Sequence, residues 1–372
     1  MRILYFSQTY TPHDFRFLSS LSKTEHEITY LPLEGNSKAR ESRPIPTGVQ
    51  LAKFENGNGG VNFLDRVRSR PELSKLLEEL NPDLVHAGPV QKGAFLTART
   101  GFTPLLTMSW GSDMLLDAKS GFGSWAARYT LKRSVLFLCD CEVVAQTARE
   151  MGMSDDRIVI FPWGVDLAHF SSEDGKELRK NLGWEDAFVL LSTREFEPIY
   201  GVEILLEAFA NSLRIDQHIR LLLLGDGSLR SKFEHMVAEK GIGKVVHFAG
   251  RIRFEELPSY FHAADLYLSA SRVDGSSISL LQAMASGLPS LVSNIPGNKE
   301  WVQEGVNGWH FADGNDVSLS HKLETIAHHS DLLARYGIAA RAIAERRADW
   351  NANFSQLLGA YKRAISLSGD LG

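Results

Sequence analysis

Cysteine is nearly missing from this chain, with Cys139 and Cys141 the two in 372 residues. Two thiols cannot build the disulfide framework of a small secreted scaffold, and C-x-C without neighbouring histidines is not a metal spacing. The pair reads as a half-buried pair on a strand, and no metal is expected. No apolar run is long enough for a membrane span or a signal peptide, since MRILYF passes at once into a polar turn. A cytoplasmic location is the expectation. Basic excess is also lacking: 40 Lys and Arg face 45 Asp and Glu, for a net charge of −5, which leaves no broad positive field to recruit nucleic acid. Nor is there a complete G-x-G-x-x-G; the GDG at 225–227 lacks the third glycine, which argues against a dinucleotide-binding oxidoreductase.

What is present describes a soluble globular chain of 44% hydrophobic and 23% charged residues, long enough for two domains. Short apolar runs alternate with helical spacing from the start. Residues 2–6, 28–33, 83–86 and 104–108 read as strands, and residues 17–21, 64–80 and 93–100 as helices, with a surface loop at 35–47. Residues 141–144 and 157–161 read as two further strands. A charged, strand-free stretch at 171–184 suggests a boundary between domains 1–168 and 169–349. A second alternation follows, with strands at 188–194, 220–224, 245–250 and 265–269, and helical segments at 202–212, 229–240, 257–263 and 317–347. The spacing in 350–365 predicts a last helix with no strand after it. Such alternation implies parallel βαβ units, so the fold class is α/β with two doubly wound sheets.

In doubly wound sheets, ligands sit outside the carboxyl ends of strands. In the first half those loops hold His13, Asp14 and Arg16, then His86, then Trp110 and Asp113. Each also has a bland reading: a solvated loop histidine, a satisfied strand-end histidine, a helix N-cap. In the second half, residues 271–311 run from Asp274 through a Gly-Ser turn into a short apolar helix containing Gln282. Free N–H groups at such a helix start favour phosphate. Ser279 and Gln282 also fit a capping box, which would need no ligand at all.

The motifs taken in order resemble one family. DLVHAG ends at Gly88, PWGVD lies at 162–166, Arg194 precedes Gly201, and LLGDG lies at 223–227. HFAG lies at 247–250, DGSSISLLQAMASGLP at 274–289 and GNKEWVQEGVNGWHF at 297–311. This series is similar to the retaining, nucleotide-sugar-dependent glycosyltransferases with the E-x7-E signature (glycosyl transferases group 1). The resemblance implies the GT-B fold: two Rossmann-like domains with a cleft between them, the first binding acceptor and the second donor, and a terminal helix (350–372) crossing back onto the first. It assigns Asp274 to donor-sugar hydroxyls and Gln282 to the ribose. Gly275, Ser276, Ser277, Ile278, Ser279 and Leu280 would face sugar and diphosphate, and Arg194 the leaving group, with Arg251 a further donor-binding candidate. Asp113 is a third catalytic candidate. No cofactor or metal is implied beyond the nucleoside diphosphate sugar itself. The acceptor would be a glycan or glycolipid.

Four departures mark a divergent member. Asp274 and Gln282 replace two glutamates, Tyr200 replaces a lysine before Gly201, Trp110 replaces a histidine, and the first loop offers His13, Asp14 and Arg16 in place of a glycine pair. A sugar-nucleotide 2-epimerase and a noncatalytic sugar-nucleotide-binding subunit are the alternative readings. Arg66, Arg68 and Arg70 with Lys132 and Arg133 could meet the inner face of a membrane, or simply form solvated helix faces.

Overall fold

The computed structural model describes residues 1–34, 40–54, 63–119, 121–171, 175–214, 216–327 and 329–369. Lys38 and the side chains of Arg66 and Arg68 lie outside the described residues. The chain divides into two units, residues 1–161 with 354–372, and residues 162–353.

In the first unit, β1 (Arg2–Ser7), β2 (Glu27–Pro32), β3 (Val49–Leu51), β4 (Leu84–Ala87), β5 (Leu105–Met108), β6 (Leu136–Cys139) and β7 (Ile158–Ile160) form a parallel sheet. Its order is β3-β2-β1-β4-β5-β6-β7, so the winding reverses between β1 and β4. Alternation along the strands sends Leu4, Phe6, Val85 and Ala87 to one face, under Leu73, Leu77 and Leu96. Tyr5 and His86, register partners on β1 and β4, point to the other face. There they meet Tyr361 of the helix Trp350–Gly369.

The second sheet contains β8 (Phe188–Ser192), β9 (Ile219–Leu224), β10 (Val246–Gly250), β11 (Leu266–Ser269), β12 (Ser290–Ser293) and β13 (Gly308–Phe311), again all parallel. The order β10-β9-β8-β11-β12-β13 reverses between β8 and β11. The unbroken leucine run in β9 has a simple cause. Leu221 and Leu223 enter one core with Phe209 and Leu319, while Leu222 and Leu224 enter the other with Leu281 and Ala344. A strand covered on both faces needs apolar residues at every position, and each such leucine contributes about 1.5–3 kcal/mol relative to exposure.

The expected α/β class with two doubly wound sheets is borne out, and several local readings are corrected. Residues 141–144 are not a strand: Cys141 is the N-cap of the helix Glu142–Glu150. Val144, Ala145 and Ala148 are its buried stripe, a helical spacing that the valine pair disguised. The strand is the apolar run before it, so Cys139 ends a strand while Cys141 starts a helix, and both thiols are buried. Residues 317–347 are two helices, Asp316–Ala327 and Ser330–Arg347. The short strand β3 was not foreseen. The contact boundary falls at Phe161/Pro162, ahead of 168/169, because Val165 packs in the second unit's core and bridges to Asp349. Among the described residues no helix is long and apolar enough to cross a membrane.

Candidate functional site

The reversal between β8 and β11 brings two loops together in the second unit. Arg194 follows β8 and Asp274 follows β11, and the strands pair directly, Leu190 with Leu266 and Leu191 with Tyr267. Arg194 Nη2 donates to Asp274 Oδ2 at 2.7 Å, and Nη1 to Ser277 Oγ at 2.5 Å. The guanidinium lies over the Tyr200 ring, 4.2 Å from its centroid. Its side chain is 8% exposed and that of Asp274 19%. Burial opposes the charge on Arg194, yet the Asp274 carboxylate beside it holds its pKa above the ordinary value. Burial raises the Asp274 carboxyl, opposed by Arg194, the Gly275 N–H and Ser277.

Ser277 has a second role. It is the N-cap of the helix Ile278–Ala285, its side chain accepting from the Leu280 N–H at 3.5 Å. The capping box expected at Ser279 and Gln282 does not form. The N-cap is Ser277, two residues earlier, where Leu280 at the third helical position has no side-chain acceptor to close a box, and Ser279 and Gln282 sit half-buried within the helix. Two glycines let the backbone close around this loop. A Cβ on Gly297 would lie 2.4 Å from the Asp274 carbonyl oxygen and 2.6 Å from that of Gly275. Gly225, at φ +143°, would place one 2.4 Å from the Arg194 carbonyl oxygen. Trp301 Nε1 donates to Ser276 Oγ at 2.9 Å, fixing the turn from behind.

In the first unit, Asp14 closes a true capping box with Thr11 and accepts from the Tyr5 hydroxyl at 3.1 Å. Burial raises its pKa to about 6. His13 packs on Trp110 with ring centroids 5.1 Å apart, and burial, aided by Arg16, lowers its pKa to about 3. His86 is fully buried. Its Nδ1 shares a 2.7 Å hydrogen bond with the Tyr361 hydroxyl, and burial lowers its pKa to about 3. Asp113 accepts from the Val90 N–H at 2.9 Å, Ser109 Oγ at 2.7 Å and the Trp110 N–H at 2.9 Å. It joins the loops after β4 and β5.

Of the residues singled out from sequence, Arg194, Asp274, Ser276 and Ser277 share one hydrogen-bonded locus with Gly275, Ile278 and Leu280 in the same turn. Arg251 stands exposed after β10, and no hydrogen bond joins it to that locus among the described residues. His13, Phe17 and Trp110 are in ring contact, with Asp14 beside His13 in sequence. Arg16 is half-buried on the same helix, Pro12–Leu21. Sequence reasoning missed Trp301, Gly225 and Tyr361 as supports. Each looked like ordinary core or turn, and their roles depend on partners 25 or more positions away.

Residues 174–343 match the family model described as glycosyl transferases group 1, and residues 2–140 match that described as glycosyl transferase 4-like. A relative, alpha-monoglucosyldiacylglycerol synthase of Streptococcus pneumoniae, is 30% identical over 43% of this chain and 37% of its own length. The D-inositol 3-phosphate glycosyltransferase of Geodermatophilus obscurus is 28% identical over 59% of this chain and 49% of its own. The chain thus spans half or less of these two curated relatives. Among solved structures, Anabaena Alr3699/HepE in complex with UDP superposes with a TM-score of 0.81 at 19% identity, covering 97% of this chain and 100% of that one. Sucrose-phosphate synthase from Thermosynechococcus elongatus gives 0.82 at 16% identity, covering 98% and 100%. At these identities the likeness shows the fold.

Proposed function

Because the chain belongs to the glycosyl transferases of GT-B fold, group 1 in its second half and 4-like in its first, we propose that it moves a hexosyl unit from a nucleoside diphosphate sugar to a hydroxyl acceptor with retention. The observation that carries this reading is Arg194. It is a buried guanidinium at a topological switch point, held by Asp274, Ser277 and the Tyr200 ring, beside the start of an eight-residue helix. Pre-oriented positive charge of that kind stabilises a departing diphosphate, and the helix-start N–H groups add to it.

In this reading the bond from the anomeric carbon to the diphosphate oxygen breaks as the acceptor oxygen bonds to the same face. The acceptor proton passes to the departing phosphate oxygen, so the protein supplies position and charge. Asp274 and the peptide groups from Gly275 to Leu280 hold the sugar and diphosphate, and Gln282 holds the ribose. Arg194 and the helix start supply the positive charge that a metal would otherwise bring. The reading places the acceptor, a glycan or glycolipid, in the first unit, where half-buried His13 and Arg16 on the helix after β1 and Trp110 after β5 are the groups left to meet it, with Asp14 and His86 buried behind them. A relative named for diacylglycerol glycosylation supports a lipid acceptor, and a neighbour crystallised with UDP supports a uridine donor.

Thermal-shift titration with UDP-, GDP- and ADP-sugars tests the donor site. A ligand at a hundredfold its Kd adds about 2.7 kcal/mol of apparent stability. A shift with one sugar nucleotide, lost in Arg194→Ala, is the expected result, and no shift with any of them overturns the reading.

A further inference from the structure

The helix Gly121–Arg133 buries Ala126, Ala127, Thr130 and Leu131 and turns its other side outward. On that side Phe122 is 39% exposed and Trp125 53%. The tryptophans elsewhere in the described chain behave differently: Trp163, Trp184, Trp301, Trp309 and Trp350 are 2–8% exposed, and Trp110 is half-buried. A ring whose purpose was to fill the core would be hidden like these.

The rings are organised. Buried Phe95 stands at the centre, with Phe122, Trp125 and Tyr129 at centroid distances of 5.6, 5.6 and 5.7 Å. Phe122 and Trp125 also pack on each other at 5.5 Å, and Trp125 on Tyr129 at 5.4 Å. The result is a supported aromatic ledge. Basic residues border it. Arg133 lies 3.7 Å over the Tyr129 ring, and Arg128 and Lys132 are exposed on the same helix. The helix has no acidic residue, although the chain as a whole carries −5. Lys119 and Asp117, both exposed just ahead of it, cancel each other.

We propose that this face of the helix Gly121–Arg133 is a docking surface for an anionic lipid bilayer. Phe122 and Trp125 would enter the headgroup region, and Arg128, Lys132 and Arg133 would meet lipid phosphates. Exposed tryptophan beside lysine and arginine is the chemistry of an interfacial helix: the amphipathic ring prefers the boundary layer, and the cations answer the negative surface potential. A soluble protein partner would find the same apolar ledge, but nothing in its binding would require the excess of cations. The inference goes beyond the transfer reading and does not depend on which donor or acceptor is used.

The test is co-sedimentation of the full chain with phosphatidylcholine vesicles with and without phosphatidylglycerol, at low and high salt. Expected is pelleting with the anionic vesicles that fades as salt rises. Phe122→Ser/Trp125→Ser should weaken it roughly tenfold or more. Arg128→Gln/Lys132→Gln/Arg133→Gln should weaken it on the order of a hundredfold, at roughly fivefold per charge. Arg128, Lys132 and Arg133 are exposed, so the charge variant should keep the parent's unfolding transition. The aromatic variant loses rings that pack on Phe95 and Tyr129 and should unfold somewhat earlier, so pelleting is compared where both stay folded and any nucleotide-sugar thermal shift matches the parent's. That second readout separates the two proposals, since the donor site can fail while pelleting holds, and the reverse. Absence of pelleting by the parent chain, equal pelleting with neutral vesicles, or pelleting that survives both variants overturns the proposal. So does a parent dimer in light scattering that the aromatic variant converts to monomer, which would assign the ledge to a second copy.

Discussion

Arg194 and Asp274, 80 positions apart in the chain, face each other at 2.7 Å across the point where the second sheet reverses its winding. The pair explains how a carboxylate one methylene shorter than glutamate keeps a defined place. It is tethered to a guanidinium that is itself fixed by stacking on Tyr200. That ring stands where the resemblance predicts a lysine, and it gives the guanidinium a surface to lie on.

Asp274→Asn keeps the side-chain shape and removes its charge. Loss of one partner from a fully buried pair costs about 3–5 kcal/mol. Asp274 is 19% exposed, so the expected destabilisation is smaller, about 1–2 kcal/mol. Sugar transfer should fall much further, on the order of a hundredfold. Urea unfolding and initial-rate measurements on the same preparation separate the two effects. Unchanged turnover would reduce Asp274 to a turn residue.

Gly297→Ala forces a methyl within 2.4 Å of the Asp274 carbonyl oxygen, so the Asp274 turn must shift. We expect about 1–3 kcal/mol of destabilisation, with loss of the sugar-nucleotide thermal shift at temperatures where the fold persists. Gly359→Ala is the control. Its Cβ meets nothing within 4 Å, and it lies in the helix Trp350–Gly369. It should add up to about 1 kcal/mol of stability and leave the thermal shift as it was.

Asp14 and two histidines, buried His86 and half-buried His13, pull stability in opposite directions with pH. Asp14 titrates near 6 in the fold against its ordinary 3.8. Between those values the folded chain holds a proton that the unfolded chain has lost, so its contribution falls as pH rises. His13 and His86 are lowered from 6.5 to about 3. There the unfolded chain takes up the protons, and stability falls as pH drops below 6.5. Asp14→Asn removes the opposing slope. Between pH 4 and 6 its unfolding free energy should therefore decline more steeply on acidification than the parent's, by up to about 1.4 kcal/mol per pH unit. Parallel pH profiles from urea titrations would contradict this.

The parts of the fold that depend on periodicity were legible. The leucine run of β9 and the breaks around it announce a strand covered on both faces, and its neighbours follow the same rule. Residues 141–144 were misread because two β-branched residues outweighed a stripe that only becomes visible over nine positions, Glu142–Glu150. The donor-side turn was legible as a string, down to Asp274 and Gln282. Its internal wiring was not. That Ser277 caps the helix while accepting from Arg194, or that Trp301 reaches back to Ser276, follows from three-dimensional closure. In the first unit Asp113 reads as chemistry and as a cap alike, and Asp14 as chemistry alone, yet the hydrogen bonds both make belong to loop and helix ends.

The helix Trp350–Gly369 begins among residues of the second unit and ends among those of the first, where Tyr361 is fully buried against His86. During synthesis this sets an order of events. Residues 162–353 form a continuous stretch that can complete its own core as it leaves the ribosome, whereas the first unit, although made earlier, waits for residues 354–372. Until that helix arrives, the face of the first sheet that carries Tyr5 and His86 is covered by Phe17 of the helix Pro12–Leu21 but lacks Tyr361. A nascent chain stalled near residue 353 should present that face to chaperones, and supplying a peptide of residues 350–372 should close it.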